Sequence, residues 1–130
     1  MSETTQQHYR TGMATLTATG FSTTVTVSVR WVRTHHTVTL YFPAFTATSN
    51  AVTFTLTGLP AELAPSQALT AHQVVVDNGA NAQGIMILST ATPTVITLGE
   101  GGFVAGGFTA TGNKGLPGNA LTYLSIPPLA

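Results

Sequence analysis

With 130 residues, the chain is sized for one domain that buries about two-thirds of its unfolded surface, enough for a core of its own. It has no cysteine, which excludes disulfides, thiol catalysis and thiolate metal sites. Only 6% of its residues are charged and the formal net charge is zero, against about 25% charged in ordinary soluble proteins. Arg10, Arg30, Arg33 and Lys114 are scattered, so phosphate-driven nucleic-acid binding, which needs clustered cations, is excluded as well.

Threonine takes the place of charge at about a fifth of the chain; it is β-branched, favours strands and hydrogen-bonds without charge. A surface this poor in charge promotes association, and packing against copies of itself is the expectation.

Residues 1–11 are polar and without alternation. They read as an N-terminal arm, with His8, Tyr9 and Arg10 as docking side chains, ordered by a neighbour; residues 12–130 form the domain. The arm lacks the apolar run of a secretion signal. No segment approaches the roughly 20 apolar residues of a membrane-spanning helix. Cytoplasmic synthesis and assembly, without membrane insertion, is expected.

Met13 to Thr19 alternates weakly. Thr23 to Arg33 alternates strongly, with Val25, Val27, Val29 and Trp31 on one face and Thr24, Thr26, Ser28 and Arg30 on the other, the period of a strand with one buried face. Thr34 to Thr37 reads as a hairpin turn, with His35 and His36 at an exposed tip. A return strand runs from Val38 to about Phe45, placed at an edge or bulge by Pro43. Thr46 to Asn50 reads as a loop.

Val52, Phe54 and Leu56 then alternate with threonines until Gly58-Leu59-Pro60, and Ala61 to Ala64 suits one helical turn. Leu69 to Asp77 and Gly84 to Ser89 form a strand pair about Asp77-Asn78-Gly79, a tight-turn signal because Asn and Gly accept positive φ. Thr94 to Leu98 is a short strand and Gly99 to Gly107 a glycine-rich loop. Phe108 to Thr111, the turn Gly112 to Asn119, and Leu121 to Ile126 complete the chain. Roughly eight or nine short strands without an amphipathic helix predict an all-β, antiparallel β-sandwich of jelly-roll-like form. Gly58, Pro60, Asn78, Gly79, Gly112 and Gly115 mark its turns, with Gly79, Gly112 and Gly115 supplying backbone angles that other residues resist.

Catalytic constellations are weak. Neighbouring His35 and His36 point apart in a strand and converge only in a turn, and no carboxylate lies near them in sequence. Asp77, His72 and Ser66 or Ser89 suggest an acid–His–Ser set, but no nucleophile elbow is present. Asp77 and Glu100 are a carboxylate pair that could flank a cleft; Glu100 reads more simply as a solvated loop charge. Gly99 to Gly102 is followed by neither the helix nor the Lys-Ser/Thr of a phosphate loop. No enzyme activity, metal or cofactor is expected. Phe103 is open between a core plug and an exposed contact. Lys114, the only lysine, is expected to pair with a carboxylate or with a carbonyl of another chain. His35, His36, Tyr41, Phe103 and Lys114 are the candidate partner-binding residues.

Three runs, "TSNAVTFTLTGLPAELAPSQ", "VVDNGANAQG" and "GFTATGNKGLPGNALTYL", resemble a family of small phage-encoded β-domains found in tail-fibre-like and other virion proteins. The shared pattern is Thr57 to Pro60 followed by Pro65, then Asp77 to Gly79, then Phe108 to Gly115. One departure is His35-His36, where the family has a Gly-Asn-like turn. The resemblance implies a jelly-roll-like domain on the virion, a homotrimer in contact with other virion proteins, and no catalytic residues. Two readings follow. One is a fibre-head-like module that contacts a host glycan or protein through loops. The other is a capsid decoration protein held through its arm. A glycan binder should show an exposed Tyr or Trp beside amides or carboxylates. Trp31 is in phase with the buried valines and reads as core, leaving Tyr9, Tyr41 and Tyr123.

Overall fold

A computed structural model of the chain describes residues 9–101 and 105–125; His8 and Phe103 lie outside the described residues. Ten strands and one 3-10 turn follow in order. They are β1 (Tyr9–Thr19), β2 (Val25–Thr34), β3 (Thr37–Phe42), β4 (Phe45–Thr48), β5 (Phe54–Thr57), the 3-10 turn (Ala61–Leu63), β6 (Leu69–Asp77), β7 (Ala80–Leu88), β8 (Val95–Glu100), β9 (Asn113–Leu116) and β10 (Asn119–Leu124). All ten strands join one sheet in the order β10-β3-β2-β1-β5-β8-β7-β6-β9-β4, and every strand pair is antiparallel.

The sheet curls around a single core. Trp31, Leu40, Phe54, Val75, Met86, Leu98, Leu116 and Leu121, from eight different strands, share one buried cluster. Strict alternation builds it: along β2, Val27, Val29 and Trp31 point inward while Thr26, Ser28 and Arg30 point out. Gly12 faces Trp31 across the ladder, and a Cβ there would lie 2.7 Å from the indole, so the glycine makes room for the ring.

The edges of the sheet are covered by other parts of the chain, which blunts the exposed backbone of an end strand. The Ala120 carbonyl of β10 accepts from Gln73 Nε2 at 3.1 Å, and the Leu124 carbonyl accepts from the Ser66 amide at 2.9 Å. Beyond β4, Phe21 bridges to Ser49, and the Ser22 amide donates to the Thr48 carbonyl at 3.0 Å.

The outer surface of β5, β1, β2, β3 and β10 is a field of threonines. Thr17 pairs with Thr26 and Thr57, and Thr39 pairs with Thr122, their hydroxyls 3.0 Å apart. Arg30 is the one charged side chain on this face among the described residues, and Tyr9, Met13, Tyr41 and Leu124 stand exposed on it.

Several elements differ from the sequence reading. β1 starts at Tyr9, so Tyr9 and Arg10 are strand residues; Arg10 pairs with Glu62 at 2.5 Å and lies 5.8 Å from the Trp31 ring. Proline has no amide to donate, so the expected return strand breaks at Pro43-Ala44 and resumes as β4, where a loop was expected. Phe108 to Thr111 is irregular, and the expected turn after it contains β9. Gly115 lies in that strand without positive φ. A Cβ there would meet the Phe45 carbonyl oxygen at 1.9 Å, so the position needs space rather than an unusual angle. Asn78 and Gly79 take φ of 51° and 79°, the two-residue turn with both φ positive that suits a twisted hairpin.

Candidate functional site

An open groove of about 550 Å3 lies where β6 and β7 face the start of β10, a volume within the range of small-ligand sites. His72, Gln73 and Val74 of β6, Gln83 and Gly84 of β7, and Gly118, Asn119 and Ala120 line it. Alternation along β6 turns His72 and Val74 outward, and the curl of the sheet brings the start of β10 within reach of Gln73.

Two amides stitch the groove together. Asn119 Nδ2 donates to Gln73 Oε1 at 3.0 Å and to the Val74 carbonyl at 2.9 Å, while Gln73 Nε2 donates to the Ala120 carbonyl. Both hydrogens of Asn119 are thereby engaged. Its Oδ1 is buried and has no hydrogen-bond partner among the described residues, an uncommon state for a buried polar atom. Small residues at 84, 118 and 120 keep the space open. A Cβ on Gly84 would lie 2.6 Å from the Gly99 carbonyl.

Tyr41 stands next to this groove. It pairs with Ala120 across β3 and β10, and side chains so paired share a face at about 5 Å. At 47% exposure its ring presents an apolar face with a hydroxyl tip. Arg30 follows Tyr41 in the same cross-strand row. Of the three tyrosines, Tyr41 is therefore the exposed aromatic beside amides. Tyr123 is buried, its hydroxyl donates to the Leu63 carbonyl at 2.6 Å, and burial pushes its pKa up. Tyr9 is exposed at the far end of the threonine face. Trp31 is core.

His35 and His36 form the two-residue tip between β2 and β3, exposed, with His35 at φ 57°. Their backbone is tied down: Arg33 Nε donates to the His35 carbonyl at 2.8 Å and the Ser125 amide donates to the His36 carbonyl at 2.6 Å. No group of three metal-binding side chains occurs among the described residues.

Lys114 is a correction to its placement on a partner-binding loop. It is fully buried, and its Nζ donates to the Ala51 carbonyl at 2.9 Å and the Thr53 carbonyl at 2.7 Å. The rings of Phe21, Phe108 and Phe54 lie 5.0, 5.7 and 5.9 Å from the nitrogen, within cation–π range. The partners are carbonyls of its own chain and aromatic faces, and burial lowers its pKa.

Asp77 and Glu100 do meet. Partial burial raises the Glu100 pKa, and a hydrogen bond and like charge from Asp77 add to the shift. Asp77 also accepts from the Thr109 amide at 2.9 Å and hydroxyl at 3.0 Å. It thereby anchors the segment after β8, a structural use of the carboxylate.

No known family model matches the chain, and no curated protein matches it in sequence. Among solved structures it is similar to a reovirus attachment protein, sigma1, crystallised in complex with alpha-2,3-sialyllactose. The TM-score is 0.61 at 18% identity, over 91% of this chain and 67% of that one. The chain shares its fold with that structure. At that identity the likeness extends to the fold and to no individual residue.

Gln73, Gln83 and Asn119 escaped the sequence reading. Asn119 meets its β6 partners from 45 and 46 positions away along the chain, and no local pattern reports such a meeting. The available signal is faint: Asn is depleted in strands, and Asn119 opens one.

Proposed function

We propose that the chain is a receptor-binding module of a bacteriophage virion, a homotrimer that binds a host-surface glycan or protein and acts without catalysis. The supporting observation is the fold held in common with a viral attachment protein over nearly the whole described chain. Fold alone is a weak warrant for function, and the site adds to it. An exposed tyrosine beside an amide-lined groove is a familiar arrangement for a polar ligand with an apolar face. The phage assignment follows the Thr-Gly-Leu-Pro, Asp-Asn-Gly and Phe-Thr-Ala-x-Gly-x-Lys-Gly motifs.

The threonine face supports self-association. Among the described residues it carries one charged side chain, Arg30, and exposes Tyr9, Met13 and Leu124, apolar surface of the kind that another protein covers, with Tyr41 at the groove border left to the ligand. The module would assemble onto the particle in the host cytoplasm through other virion proteins. The decoration reading rested on the arm, and residues 1–8 lie outside the described residues.

Binding of the labelled protein to cells that the virion infects tests the reading. Tyr41→Ala should reduce binding at least tenfold with the melting temperature unchanged, because Tyr41 is on the outer face and outside the core. Undiminished binding by this variant removes Tyr41 from the site. Native mass should be three times the 13.4 kDa of the chain. Antibody to the protein should mark the tail in electron micrographs; labelling spread over the capsid lattice would replace the attachment reading with decoration.

A further inference from the structure

We infer that the groove between β6, β7 and β10 binds an uncharged, hydroxyl-rich sugar unit and discriminates against acidic ones. The inference rests on the receptor-binding reading and adds the ligand class and the residues.

Three observations carry it. The groove is lined without Lys, Arg, Asp or Glu, so an anionic ligand finds no counter-charge in its walls. Its polar groups are neutral amides and one imidazole, which exchange hydrogen bonds with hydroxyls in either direction. The third observation is Asn119 Oδ1. Its amide is held by two outgoing bonds to Gln73 and Val74, leaving a buried acceptor without a donor among the described residues. Such an atom is costly to the fold. A sugar hydroxyl that reaches it brings the missing proton, whereas a carboxylate or sulfate oxygen brings a second acceptor and repels it. Oδ1 is shielded from solvent, so the ligand must first open the Gln73–Asn119 pair slightly, a side-chain adjustment of the kind common on binding.

The nearby cations do not change the sign. Lys114 is buried elsewhere and Arg33 is buried at the opposite end of β3. Arg10 is paired with Glu62. Arg30 is separated from Ala120 by Tyr41 in the cross-strand row. Tyr41 offers the apolar face of the sugar ring a surface at the groove's border.

An array of neutral hexose and N-acetylhexosamine oligosaccharides, with their sialylated and sulfated counterparts, tests this on the full chain. Neutral members should be retained, and amide chemical shifts of His72, Gln83 and Ala120 should move on titration. Gln83→Ala, at an exposed groove position, should weaken retention at least tenfold with an unchanged melting temperature. Arg30→Ala should leave it within twofold. Retention of acidic members alone, neutral binding that Gln83→Ala leaves intact, or no retention of any glycan overturns the inference. Cell binding separates the two levels. If the protein binds host cells and Gln83→Ala binds equally, the groove assignment fails while the receptor-binding reading stands. If the wild-type chain binds no host cell, the reading itself fails.

Discussion

Burial shifts the pKa of three ionisable groups, Lys114, Tyr123 and Glu100, and few other charges exist to mask their effect on stability. Lys114 has its pKa lowered from the ordinary 10.5 by burial. Between the folded and unfolded values the unfolded chain holds more protons, so stability climbs with pH there. Tyr123 has its pKa raised from 10.0 by burial, so above about pH 10 the unfolded chain loses the phenol proton first and stability falls. Glu100 has its pKa raised from 4.5. Its contribution is fully present below 4.5 and is lost as pH rises through the folded value. The urea midpoint should therefore fall on leaving acid, climb toward pH 10 and drop beyond it. A midpoint with no climb on the alkaline side below the lysine's ordinary 10.5 would remove the lysine from this account. The burial of Lys114 was not legible in the sequence. Its neighbours Gly112, Asn113 and Gly115 spell a turn, and the three phenylalanine rings that hold it come from distant positions, Phe21, Phe54 and Phe108.

At the level of elements, the sequence was legible wherever a strand has one wet face. The span of β6 was read to the residue, and the hairpin after it from Asp77-Asn78-Gly79. β2 was read to within two residues at its start and one at its end, and Trp31 was placed in the core. Legibility failed at the short edge pair β4–β9. Its four-residue strands carry too few alternations to show a period, and β9 owes its place to a close backbone approach. Gly115→Ala tests that explanation. With the Phe45 carbonyl at 1.9 Å from the new Cβ, β9 must move away from β4, and a loss of about 2–3 kcal/mol is expected, at the upper end for overpacking. Chemical denaturation measures it; a loss below about 0.5 kcal/mol, the range of an ordinary surface change, would show that the edge pair adjusts freely. The groove was invisible for a related reason, since it exists only after the curl of the sheet brings β6 opposite β10.

For the whole molecule, composition carried more than motif. Low charge with abundant threonine led to the expectation of self-association, and the structure concentrates exposed threonines, with Arg30 the one charged side chain among the described residues, on the outer side of β5, β1, β2, β3 and β10. Thr17→Glu with Ser28→Glu puts two carboxylates in the middle of this face without touching the core. If the face joins copies of the chain, burying unpaired charge costs several kcal/mol per group. Sedimentation should then show monomers at a concentration where the parent is associated, with an unchanged far-ultraviolet spectrum. An unchanged sedimentation coefficient would place the contact elsewhere. The expectation of a two-sheet sandwich gave way to one continuous sheet because β1 pairs with both β2 and β5, and β5 carries the ladder on to β8.

The aromatic cage around Lys114 has a practical corollary. The only lysine of the sequence sits at zero exposure with its nitrogen bonded to two carbonyls. Amine-directed acylating dyes and aldehyde crosslinkers therefore find no side-chain target on the native molecule. Acylation of Lys114, followed by peptide mass spectrometry, should advance only as fast as the molecule opens. The side chain would serve as an internal clock for unfolding, without an engineered probe.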